Sequence, residues 1–188
     1  MNALCRTLIL AGLAVASAVS AAEPELKKLR FPATARVGDV AVGAPAQFEL
    51  MCHGAKDGAL TLALILSSPD AIKTFPLPDF EGPDGIGETR DVARWGVDTR
   101  GDAVQASGPI GGWYGVDGDG FVLSRSERAH KATPLAAIVA ALGQPESKRL
   151  RLSVASPKGG EALQAEALLD GHQAAIAATA QACLPKAP

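Results

Sequence analysis

Two cysteines near opposite ends of the chain, Cys52 and Cys183, constrain this sequence more than any other feature. The third, Cys5, belongs to a leader-like segment in which Arg6 precedes an apolar run, Leu8 to Ala16, and the small residues Ser20-Ala21-Ala22. That order reads as a cleaved secretory signal over residues 1–22, and its apolar run is too short to span a bilayer. Residues 23–188 are then expected to form one disulfide-closed domain, periplasmic or secreted, with no further membrane span. In an oxidising compartment an isolated cysteine pair reads as a disulfide. A Cys52–Cys183 bridge spans 131 residues, and closing such a loop stabilises a fold by about 5 kcal/mol, as much as the whole net stability of a modest domain. The competing reading makes Cys52 and His53 a metal or redox pair. No second Cys or His stands nearby at ligand spacing, and His130 and His172 are isolated, so no metal site is assigned.

The patterns between the cysteines are mostly those of strands. Gln47 to His53 alternates, with Phe48, Leu50 and Cys52 on one side. The turn Gly54 to Gly58 leads into Ala59 to Ser67, whose leucines recur at period two, so the two segments predict a hairpin. Gly112 to Val116 and Phe121 to Arg125 flank Asp117-Gly118-Asp119-Gly120 and predict a second. A calcium loop there fails on spacing, because Phe121 takes the next ligand position and no bidentate Glu follows. Thr133 caps a predicted helix with Pro134 in its first turn, ending at Gly143. Arg149 to Ala155, with Leu150, Leu152 and Val154 inward and Arg149, Arg151 and Ser153 outward, pairs with Glu161 to Leu169 in a third hairpin. A final helix from Asp170 places Ile176, Ala180 and Cys183 on one stripe, which carries the cysteine to the core. Glu25 to Arg36 is basic and mixed, and its Phe31-Pro32 step breaks any helix. Together these patterns predict an α+β fold, mainly antiparallel β, with sandwich-like sheets, one mid-chain helix and one C-terminal helix.

The order of hairpin, Leu169-Asp170-Gly171 and Ala174-Ala175-Ile176 in a short helix, covering Lys148 to Cys183, resembles small exported proteins of the invasion-associated locus B type. The resemblance implies a periplasmic β-rich domain with a terminal helix. The chain lacks that family's extra cysteines, so no functional residue is carried over.

Pro69 to Arg94 looks least like scaffold. It holds four prolines, three glycines and six acids, yet also Phe75, Leu77, Phe80 and Ile86. One reading is a proline-stiffened loop presenting Phe75 and Phe80 to a partner, rimmed by Asp79, Glu81 and Asp84. The other folds the aromatics back over a sheet edge. Trp113 and Tyr114 raise the same alternative. Neighbouring strand residues face opposite ways, so at most one of them belongs to the core, and Trp95 is a candidate for the same patch.

The sequence offers little for catalysis. Nucleophile-elbow, metal-ligating His, phosphate-loop and dinucleotide motifs are absent, and no cofactor is implied. Ser67 and Ser68 sit at a strand end, but nothing links them locally to a histidine. Setting residues 1–22 aside leaves 17 Lys and Arg against 20 Asp and Glu, a net charge of −3, which argues against nucleic acid as a partner. The expected function is an exported, non-catalytic protein-binding module, in its sharpest form an inhibitor or immunity factor that offers the 69–94 loop to another envelope or secreted protein. An assembly component of an envelope complex, or a hydrolase with a site assembled only in space, are the alternatives.

Overall fold

The computed structural model describes residues 25–81, 89–115 and 120–186. The leader-like segment, Asp84 and the Asp117–Asp119 turn lie outside them. Among the described residues the order is β1 (Leu26–Val37), β2 (Val40–Ala41), β3 (Ala46–His53), β4 (Ala59–Leu66), β5 (Thr89–Asp98), β6 (Ala103–Tyr114), β7 (Phe121–Arg128), α1 (Pro134–Leu142), β8 (Arg149–Val154), β9 (Leu163–Leu168) and α2 (Gln173–Ala180). Two 3-10 turns, Pro69–Ala71 and Leu77–Phe80, lie between β4 and β5.

The sandwich-like α+β expectation is corrected by the strand order. The pairings run β1-β3-β4-β7-β6-β5-β8-β9, and β9 pairs back onto β1, so eight antiparallel strands close into a barrel. The two-residue β2 is an extra strand on the end of β1. The fold is mostly β, with two short helices. Closure comes from two strands of 12 residues that each serve two sheets. Leu26 to Ala33 of β1 pair with β3, whereas Thr34 to Val37 pair with β9. Ala103 to Ile110 of β6 pair with β5, whereas Gly111 to Tyr114 pair with β7. Pro32 and Pro109 stand just before these changeovers, positions where a missing N–H and a bent strand are tolerated. Ring closure removes the free edges that a sandwich would keep.

Below the changeovers β1 parts from β9 and β6 parts from β7, and the helices fill these openings. α1 packs on β4, β5, β6 and β7, and α2 packs on β1, β3 and α1. Thr133 Oγ1 accepts the Ala136 N–H at 3.2 Å, and Leu135, Ile138, Val139 and Leu142 are buried, each worth about 1.5–3 kcal/mol on transfer from water. Arg125 bridges the β6–β7 opening by donating from Nη1 to the Ser107 carbonyl at 2.9 Å and from Nε to Glu127 Oε1 at 2.8 Å. The other Glu127 oxygen accepts the Leu135 N–H at 3.1 Å, a first-turn amide that has no partner inside the helix. A Cβ on Gly108 would lie 2.4 Å from the Arg125 guanidinium, and one on Gly112 would lie 2.6 Å from the Phe121 ring. These two glycines are therefore fixed by what crosses behind the strand.

The second helix begins at Gln173 rather than at Asp170, with no side-chain cap. It ends at Ala180, short of the expected Cys183; Ile176 and Ala180 on it and Cys183 in the turn that follows are all buried. Cys52, inward on β3, lies 5.8 Å from Cys183 between Cα atoms and is joined to it by a disulfide. At the opposite end, Ile72, Phe75, Leu77 and Phe80 turn inward and plug the barrel mouth.

Candidate binding surfaces

The residues singled out in the sequence divide into a buried layer and a rim at the plugged mouth. Phe75 and Phe80 stack with ring centroids 5.5 Å apart and are 3% and 0% exposed. They form the plug instead of standing out from it, because the ring of strands leaves an apolar opening that this segment covers. Asp79 accepts a salt bridge from Lys158 at 2.7 Å, which ties the plug to the β8–β9 turn. Glu81 is exposed and its backbone bridges to Gly112 of β6. Trp95 is not part of any patch. It faces the barrel interior, 6.1 Å from the Phe48 ring, and among the described residues its Nε1 has no hydrogen-bond partner.

Trp113 and Tyr114 are both outside the core. Trp113 points outward beside Val122 and is half-buried. Tyr114 meets Phe121 edge-on at 4.8 Å while remaining 38% exposed. Partial burial raises the Tyr114 phenol above its ordinary value, and the carboxylates of Glu81 and Asp70 add to that shift. Tyr114 thus rests on a buried ring within electrostatic reach of Glu81 and Asp70. Asp70 was not singled out in the sequence. Its role follows from the 3-10 turn that carries it, and nothing in its immediate neighbours announces that placement.

A second surface is foreshadowed in the sequence only by the outward Arg149 and Arg151. On the outer wall formed by β1, β9, β8, β5 and β6 lies a groove of about 800 Å³, with Arg36, Arg94, Arg149 and Arg151 along it and Gly96 in its floor. Arg149 reaches Glu166 at 3.2 Å, and Arg151 pairs with Asp98. Arg36 donates to the Gly38 carbonyl at 3.2 Å and makes a 3.9 Å contact with exposed Asp39. Arg94 has no ion-pair partner among the described residues. The outward alternation of Arg149 and Arg151 was the available signal. Arg36 and Arg94 lie on strands whose pairing with β9 and β8 had no local signature.

The elements of a hydrolase do not converge. Ser67 and Ser68 follow β4 at the plugged mouth, while His53, His130 and His172 all lie at the helical end. His130 contacts the Gly54 carbonyl at 3.2 Å, and His172 rests 5.8 Å from Phe31. Among the described residues no group of three or more His, Cys, Asp or Glu is placed to hold a metal ion. No family model, curated protein or solved structure matches the chain.

Proposed function

We propose that this is an exported, non-catalytic protein-binding module, of inhibitor or immunity type, that engages another envelope or secreted protein through the rim of its plugged mouth. The observation that carries this reading is the exposed Tyr114 ring, seated on buried Phe121 and flanked by Glu81 and Asp70. Aromatic side chains held in place by packing lose little freedom on binding and are over-represented among residues that dominate interface energies. The adjacent carboxylates suit a partner whose contact surface is basic. The disulfide and the leader-like residues 1–22 support an extracytoplasmic location. The aromatic plug gives the rim a fixed backing, so the functional part of residues 69–81 is their acidic outer surface, with its neighbour on β6.

Pull-down of extracytoplasmic proteins from the native cells, comparing wild type with Tyr114→Ala and Glu81→Lys, tests the reading. A partner retained by wild type should be lost by both variants, at least about tenfold weaker in titration for Tyr114→Ala, while melting temperatures stay together. Retention of the same protein by all three, or of none by wild type, overturns it. Assembly by strand addition is disfavoured by the closed ring, which leaves β2 as the short exposed edge.

A further inference from the structure

We infer that the groove on the outer wall is a second binding site, separate from the rim, and that its ligand is an extended acidic segment of a partner protein. The register places Arg36, Gln164, Ser153 and Arg94 side by side on β1, β9, β8 and β5. Three strand spacings separate the two arginines, about 14 Å, the length of about four residues of extended peptide. Among the described residues Arg94 has no carboxylate partner, and Arg36 has only the exposed Asp39 at 3.9 Å. The pairs Arg149–Glu166 and Arg151–Asp98 lie alongside, so the groove, lined by four arginines and one glutamate, is locally positive in a chain of net negative charge. Guanidinium groups match carboxylates with two parallel hydrogen bonds, which gives this face its preference for acidic side chains.

The floor favours a peptide over other polyanions. Gly96 faces outward, and a Cβ there would find nothing nearer than Gln105 Cγ at 4.0 Å, so the wall dips at its centre. Gln105 and Gln164 line this dip, and each amide both donates and accepts, as a peptide main chain requires. The groove has no outward aromatic ring on which a base or sugar would stack, since Trp95 faces the core. Its volume falls within the usual range for ligand sites.

The test is fluorescence anisotropy of a dye-labelled oligoglutamate peptide titrated with the purified, disulfide-closed protein. Saturable binding that weakens with added salt is expected. Arg36→Glu/Arg94→Glu should weaken it at least about tenfold, and so should Gly96→Gln, which fills the dip where the backbone has room. Both should melt with the wild type, and Tyr114→Ala should bind as wild type does. Labelled oligothymidylate and oligogalacturonate of matched charge form the comparison arms. The inference is overturned by absence of saturable binding, by affinity unmoved in the arginine and glycine variants, or by either other polymer binding as tightly as the peptide.

Discussion

The barrel is stopped at both ends, but by different means. At the helical end α1 and α2 fill the openings where β1 leaves β9 and β6 leaves β7, the Cys52–Cys183 bridge joins strand to helix, and the Arg125–Glu127 pair holds the first turn of α1. At the mouth, one segment with two short 3-10 turns is held, among the described residues, by four apolar side chains, a salt bridge to Lys158 and a backbone bridge from Glu81. The first closure is covalent and regular. The second depends on side-chain packing, because the backbone hydrogen bonds within residues 69–81 close only the segment's own turns. The difference predicts where each property resides: stability should be concentrated at the helical end, whereas exposed Tyr114, with Glu81 and Asp70 that have no ion-pair partner among the described residues, stands at the other, as is common for binding surfaces.

Breaking the stronger end should have the largest effect. Replacing both Cys52 and Cys183 by Ala should lower the unfolding free energy by about 5 kcal/mol, because the open chain regains the entropy of a long loop. Denaturant titration of the two proteins measures it. A loss below about 1 kcal/mol would mean that helix packing alone holds that end.

The weaker end is tested with Phe80→Ala. Removing a fully buried ring that stacks on Phe75 should cost about 3 kcal/mol. Hydrogen exchange should show the damage locally, with faster exchange in residues 69–81 and at the mouth ends of β4 and β6, while α1 and α2 keep their protection. Equal acceleration at both ends would show one cooperative unit and erase the distinction drawn between them.

The helical end was also the more legible in sequence. Thr133, Pro134 and Gly143 announce α1, the spacing of Ile176, Ala180 and Cys183 announces the buried stripe, and the hairpins β3–β4 and β8–β9 follow from alternation. The strands that close the ring were not legible. β1 does alternate, with Leu29, Phe31, Ala33, Ala35 and Val37 on one side, but Pro32 and the intervening Lys and Arg residues obscure it. β6 contains Gly108-Pro109-Ile110-Gly111-Gly112, a loop-like composition. Its glycines answer to Arg125 and Phe121, residues that follow later in the chain and meet it only in the folded barrel. Without β1, β5 and the first part of β6, three hairpins and two helices suggest a sandwich. The same omission hides the groove, since two of its four arginines sit on unread strands. At the mouth, Phe75 and Phe80 could be recognised as anchors for something apolar. That the something is the barrel's own interior is a property of closure, which no local window contains.

The smallest expected effect concerns the rim itself and decides whether its three groups act as a unit. Tyr114 is the only tyrosine in the chain, so phenolate absorbance during alkaline titration reports it alone. Burial, then Glu81, then Asp70 raise its folded pKa above the ordinary 10.0. The folded state therefore binds the phenolic proton more tightly than the unfolded chain does. The corresponding contribution to stability is fully present below pH 10 and is lost as pH rises through the folded value. Folded protein should titrate later than protein in denaturant. Glu81→Gln should bring the midpoint part of the way back and Asp70→Asn less far, since desolvation by the mouth persists in both. Coincident folded and unfolded midpoints would place Tyr114 out of reach of both acids, and the rim would then be three separate side chains with no shared electrostatic character to offer a partner.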